Sequence, residues 1–441
     1  MLDRQVVITG LGAITGLGVG ADAMWQGLLD GRSALAPIGA FDASGFPCAV
    51  ASEIPDFSAR DYVPKSYRKA VKVMARDIQI AVAAARLAVE DAGLVTRDLA
   101  TEGQTPTYAP DRVGCQIGAG LISCEIDELT RALVSSLDDQ GDFDLRAWGD
   151  GGMDNLPPLW LLKYLPNMLA CHVTIIHDAQ GPSNTITCAE ASGLLSVGES
   201  MRVIARGDAD CCFTGGAEAK VNPMGLIRMD LANRLAHTDN SADIDPTSYI
   251  RPYDPDAAGG LLGEVCGICM VEAQETASAR GARPYAVMSG FGAGHSPRQG
   301  NPRERAEGLI AAIEAAFLQA GINPDEIDAI IPHASGIPSI DEEEIAALDA
   351  VFGSGLRDIP LVTLTPNIGD GMAGAGGAAV CAAALCLRHQ SLPARIHSGF
   401  PANNVQAGSV DQRDARLDRV LVCSNALGGQ NAALVLSATT Q

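Results

Sequence analysis

"GPSNTITCAEASG", residues 181–193, is a small-residue turn that runs through a β-branched stretch into a helix start. A strand that turns tightly into a helix suits a nucleophile's seat, because a helix N-terminus offers unpaired backbone N–H groups and a dipole that favours an anion. Two reactive side chains compete for that seat, Cys188 and Glu190. Residues two apart on a strand face the same side, so period-two spacing directs both toward one region.

Outward from this stretch, strands alternate with helices in both directions. "DCCFTGGAEA" (210–219), "GICMVEA" (267–273) and "RVLVCSNALGGQNAALVLS" (419–437) read as buried strands, the last broken in two by Gly428-Gly429. Segments 65–94, 194–206 and 305–320 carry helical periodicity. The alternation predicts an α/β layered fold. "RQVVITGLGAITGLG" (4–18) reads as an apolar strand that breaks into a glycine-rich turn. Its GLGAITG has the look of a dinucleotide fingerprint, but helix start and acidic partner are poorly placed, so nucleotide binding is not expected. "AVMSGFGAG" (286–294) echoes it and suggests an internal duplication.

The 441 residues are 47% hydrophobic and 19% charged, enough for a large core in two domains or one duplicated unit. A formal net charge of −22 speaks against nucleic acid and anionic membranes as partners. The twelve cysteines show no zinc-type CxxC pairs and read as buried reduced thiols. "MLDRQVVITG" carries charge where a signal peptide would be apolar, and the apolar run 373–387 is too short to span a bilayer. A cytoplasmic location is the expectation.

Seven stretches, in order, resemble the β-ketoacyl-ACP synthases, condensing enzymes of the thiolase fold. They are "VVITGLGAITGLG" (6–18), "GPS…ASG" (181–193), "ARGDADCCFTGGAEA" (205–219), "RPYDPDAAGGLLGEVCG" (251–267), "PHASGIPSIDEEE" (332–344), "NIGDGMAGAGGA" (367–378) and "GGQNAALVL" (428–436). The resemblance implies a thiolase fold, two similar βαβαβαβαββ halves in α-β-α-β-α layers, divided here as 1–265 and 266–441, and usually dimeric. It also implies acyltransferase chemistry (3-oxoacyl-ACP synthase) by a Cys thiolate, two His and a nearby Lys. No cofactor or metal is implied, the acyl chains arriving on the phosphopantetheine of acyl carrier protein.

Matched position by position, this chain departs from that set. The spacing between Gly181-Pro182-Ser183 and Ser192-Gly193 puts the nucleophile's position on Glu190, with Cys188 on the entering strand as the alternative nucleophile. The first His survives as His333, with Asp341 and Glu344 matching the acids that follow it. The second His reads Asp370 and the Lys reads Thr365. Asn425 and Leu427 stand where two phenylalanines form the acyl gate. A buried Glu190–Asp370 pair could also protonate through mutual repulsion and act as an acid/base site.

The pattern is similar to chain length factors, ketosynthase-like subunits that lack the catalytic Cys. The resemblance then implies a heterodimer with an active ketosynthase partner subunit, a homodimer being the alternative, in polyketide, aryl polyene or fatty acid elongation. The competing reading is a divergent β-ketoacyl-ACP synthase or acyltransferase that uses Cys188 with His333. Lys65, Arg68, Lys69 and Lys72, with Arg76, follow i, i+3/i+4 spacing, which predicts a cationic helical face. Its expected role is docking an acidic acyl carrier protein. The resemblance places dimer and tunnel walls at 121–136.

Overall fold

The computed structural model describes residues 4–238, 245–297, 299–397, 404–406 and 408–439. The strands β1 (Val6–Thr15), β2 (Val113–Ala119), β3 (Ser183–Ile186), β4 (Cys211–Ala219) and β5 (Glu264–Ala273) pair in the order β3-β2-β4-β5-β1. The strands β6 (Ala286–His295), β7 (Ala329–Ile331), β8 (Arg419–Asn425) and β9 (Gln430–Ser437) repeat that order as β7-β8-β9-β6, and Leu361 bridges Ile330 where the first half has its outermost strand. The two first strands join the halves, Val6 facing Met288 and Ile8 facing Ala286 in antiparallel register. The thiolase-fold expectation holds, and so does the duplication.

The division at 265/266 falls inside β5; the repeat changes over between Ala273 and Ala286. The glycine-rich "turn" also needs correction. Strand β1 runs unbroken through Gly10 and Gly12 to Thr15 and packs on α1 (Arg76–Asp91). A Cβ on Gly10 would stand 2.2 Å from the Ala88 carbonyl oxygen, and one on Gly12 1.9 Å from that of Ala84. In the second half Gly290 and Gly292 of β6 approach Ala316 and Ala312 of α5 (Pro302–Ala320) in the same way, at 2.1 and 1.9 Å. These glycines let a helix lie against a strand; none of them cradles a phosphate.

Between the two layers of strands lie the helices that follow the third strand of each half, α4 (Ser192–Ala205) and α7 (Ala375–His389). They touch through glycine: a Cβ on Gly193 would lie 3.1 Å from Gly377 N, and one on Gly376 2.6 Å from Leu194 N. Residues 372–389 are long and apolar enough to cross a membrane, but 83% of that run is buried inside the protein. Two further helices bear on the site, α3 (Met168–His177) on β2 and α6 (Pro338–Phe352) after β7.

The predicted helix over 65–94 starts late. Lys65–Tyr67 and Ala70–Val73 are 3-10 turns, and regular helix begins at Arg76. Met74 and Ala75 are extended and drawn into the core at 1% and 4% exposure, and this breaks the helix that the cation spacing suggested.

Candidate functional site

The turn after β3 delivers residues 188–191 to the N-terminus of α4. β3 ends at Ile186, so Cys188 is not on the strand as expected; it caps a single 3-10 turn, Ala189–Ala191. Ala189 takes a φ of 49°, left-handed and unusual for a residue with a Cβ, and this kink turns residue 190 inward. Ser192 Oγ fixes the turn, accepting from Cys188 N at 2.8 Å and donating to Ala189 O at 2.6 Å.

Glu190 is fully buried. Its Oε1 forms an ion pair with Arg234 Nη1, its Oε2 accepts from Leu427 N at 3.2 Å, and its carbonyl accepts from Ser424 Oγ at 2.9 Å. The carboxylate thus takes a backbone donor from the turn between β8 and β9. Arg234 comes from the turn after the helix Pro223–Leu231, pinned by Arg234 N to Met229 O and by Gly260 N to Arg234 O. Its other end, Nη2, lies 4.0 Å from Asp370 Oδ2.

Asp370 and His333 complete the cluster. Asp370 N donates to Leu261 O at 2.7 Å, and its Oδ1 accepts from Met372 N at 2.8 Å. His333 Nε2 is 3.9 Å from Asp370 Oδ1, and its Nδ1 donates to Asn425 Oδ1 at 2.9 Å. Burial opposes charge on the imidazole, but Asp370, Glu344 and Glu190 outweigh it and push His333 up to about 9. Burial also acts to raise the Asp370 carboxyl; His333, Arg234 and the Met372 N–H together hold it below the usual carboxylate range. Glu190 and Asp370 do not face each other alone: Arg234 reaches both carboxylates, and His333 stands beside Asp370.

Glu344 on α6 accepts from His333 N and Ala334 N at 2.8 Å each, and from Tyr253 Oη at 2.7 Å. Asp341 binds Ser335 Oγ and the N–H groups of Gly336 and Tyr253. Burial, with the charge of Glu344, pushes its carboxyl up to about 7. The two acids therefore hold the 333–337 turn; among the described residues no acidic cluster has metal-site geometry. Thr365 is buried and its hydroxyl donates to Ala334 O.

The structure brings Glu190, His333, Asp370 and Asn425 together, with Thr365 beside them. Asn425 is buried against His333, whereas Leu427 is 48% exposed. Cys188 is half-buried, among the described residues it hydrogen-bonds through its backbone only, and burial raises its thiol pKa. Arg234 was missed in the sequence. The available signal was indirect: two buried acids require a buried cation.

The cluster is closed. Cavities of about 10 Å³ beside Arg234 and Asp370, and about 20 Å³ beside His333 and Thr365, each have room for about one water. A groove of about 1150 Å³ lies elsewhere, between Ile54, Cys124, Ile126 and Val221. Its Cys124–Asp127 wall belongs to the stretch expected to form tunnel walls.

The cationic stretch forms no helical stripe, but Lys65, Arg68, Lys69 and Lys72 are all exposed, with no carboxylate within ion-pair distance among the described residues. Arg76 is excluded from the set, because it pairs with Glu264 at 2.8 Å. Asp77, next to Arg76, is buried and accepts from Ala219 N.

The sequence matches the Beta-ketoacyl synthase N-terminal domain over residues 3–277 and the C-terminal domain over 285–398. The chain belongs to the β-ketoacyl synthase family. It is 32% identical to a 3-oxoacyl-[acyl-carrier-protein] synthase 2 of Coxiella burnetii over 99% of both chains, and 29% identical to that of Staphylococcus aureus over 98% of both. Among solved structures, the ishigamide ketosynthase/chain length factor superposes with a TM-score of 0.81 at 28% identity, over 99% of this chain and 100% of that one. A type II PKS acyl-carrier protein in complex with its ketosynthase gives 0.81 at 22% identity over the same shares, which speaks to the fold alone.

Proposed function

We propose that this chain is a chain length factor: a ketosynthase-like subunit that pairs with an active β-ketoacyl synthase and does not itself carry the acyl chain. The observation that carries the reading is the buried Glu190–Arg234 ion pair at the start of α4. A thiolate there would have a helix N-terminus and the Leu427 N–H at hand for a thioester oxyanion. A carboxylate already bonded to that N–H and to a guanidinium leaves neither a nucleophile nor a free donor. Asp370 and Thr365, at the second His and Lys positions, compound the loss. An acid at 370 cannot donate to a developing enolate.

Two surface features support the partners. Among the described residues β3 is paired with β2 on one side only, and Ser183 and Asn184 are exposed, an edge suited to another subunit. The four exposed cations at 65–72, with no carboxylate in ion-pair range among the described residues, suit an acidic acyl carrier protein. The reading places the protein in the cytoplasm, where chains grow on carrier protein without a cofactor of its own.

The competing enzyme is favoured by one finding, the 32% identity to a named synthase. It would need Cys188, whose thiol pKa is raised by burial. The deciding experiment incubates the purified chain with acyl-ACP and reads intact mass. No adduct is expected on the chain alone, with condensation appearing only when an active synthase subunit is added. An acyl adduct on Cys188 would overturn the reading.

A further inference from the structure

Between the end of β2 and the start of α3 the chain leaves the sheet for more than forty residues. This excursion rises from the strand next to β3 and returns, through α3, to β3 itself. It therefore connects the two outermost strands of that half of the sheet. It contains α2 (Ile126–Val134) and the short helices Leu145–Asp150 and Trp160–Lys163.

The excursion is tied to itself rather than loose. Lys163 Nζ reaches Glu128 at 2.6 Å, Tyr164 Oη donates to the same carboxylate at 2.7 Å, and Asn155 Nδ2 donates to Ser135 Oγ at 3.0 Å. Yet it buries little. Eleven of the sixteen exposed large apolar side chains among the described residues lie between Leu121 and Leu162, with Val134 at 62%, Leu145 at 74% and Leu159 at 63%. An apolar concentration of this kind on a soluble surface marks a contact face.

Its charge is equally one-sided. From Leu121 to Lys163 there are nine Asp and Glu against three Lys and Arg, a net of −6. Lys163 pairs with Glu128, while Asp139, Asp150 and Asp154 are exposed with no cation in range among the described residues. A two-fold dimer brings the same patch of each copy together. Two copies meeting through this excursion would set −6 against −6 around an apolar centre, whereas a different subunit can answer it with cations.

We infer that the 121–163 excursion is the partner-recognition face, and that its negative charge selects a ketosynthase-fold subunit with an apolar, Lys/Arg-rich facing surface over a second copy of this chain. The inference rests on the heterodimer reading above and names what enforces it. Apolar contact supplies affinity, and charge rejects the wrong partner.

The test needs only the full chain. Sedimentation equilibrium is run at about 0.05 M and about 0.5 M NaCl, where the screening length falls from roughly 14 Å to roughly 4 Å. The natural chain is expected to be monomeric at low salt, its self-association tightening at least about tenfold at high salt. Asp139→Lys/Asp150→Lys/Asp154→Lys brings the face to neutrality and is expected to dimerise at low salt. Adding Val134→Ser and Leu145→Ser is expected to abolish that dimer, while far-UV circular dichroism stays unchanged. A tight, salt-insensitive homodimer of the natural chain would overturn the inference, and so would a triple-Lys variant that associates no better. Intact mass on the same preparation separates the two proposals. An acylated Cys188 refutes the chain length factor whatever its oligomeric state, and a homodimer without acylation refutes only the charge selection.

Discussion

Removing Arg234 tests the account of the closed site most directly. Arg234→Met keeps most of the side-chain volume and deletes the charge that Glu190 and Asp370 share. Glu190 is 0% exposed and Arg234 5%, so the orphaned carboxylate would be held away from bulk solvent. Breaking a buried pair from one side costs about 3–5 kcal/mol. Unfolding entropy at about 2 cal/mol/K per residue gives roughly 0.9 kcal/mol/K for a chain of this size, so the melting temperature should fall by about 3–5 °C. Glu190→Gln alone should also destabilise, because it strands the guanidinium. The double variant Arg234→Met/Glu190→Gln removes both charges and should recover at least about half of the loss, a coupling near 2 kcal/mol by double-mutant cycle. Calorimetry and urea unfolding are the assays. Strictly additive single effects, or a single variant within about 1 °C of the natural chain, would refute the ion pair as the organiser of the site.

Other outcomes follow from the same geometry. His333 is pushed up to about 9, above an unfolded value near 6.5, so its contribution is fully present below about pH 6.5 and lost as pH rises toward 9. Urea titrations across that window should show falling stability, and His333→Gln should flatten the slope. Gly377→Ala would press a Cβ to 2.1 Å from Gly267 O with only backbone to yield, and should cost about 3 kcal/mol or abolish soluble expression. Arg68→Glu/Lys69→Glu should weaken acyl carrier protein binding at least about tenfold in a fluorescence titration, with the melting temperature unchanged because both side chains are exposed.

The sequence was most legible where a local pattern reflects a repeated packing demand. The echo between 6–16 and 286–294 marks strands that must admit a helix at close range, and the structure places Gly10, Gly12, Gly290 and Gly292 against helix carbonyls. The same glycines misled as a turn signal, since close approach and tight turning both call for a missing Cβ. The order of motifs located Glu190, His333, Asp370 and Thr365 in one cluster because their backbone turns are fixed by spacing. Arg234 was illegible because its partners lie 44 and 136 residues away and only tertiary packing selects it from other arginines. The cationic helix at 65–76 failed because charge spacing says nothing of Met74 and Ala75, whose burial breaks the helix beneath it.

The strand that joins the two halves has a consequence for synthesis. β1 leaves the ribosome well ahead of its partners: apart from a two-residue hairpin, they are Cys266–Ala273 on one side and Ala286–Met288 on the other. At translation rates of about 5–20 residues per second, roughly 250 residues and some 12–50 seconds separate the strand from its first long neighbour. A ten-residue apolar β-segment with two open edges is exposed for that interval, and a nascent chain halted before residue 264 would present it to any other unfinished copy.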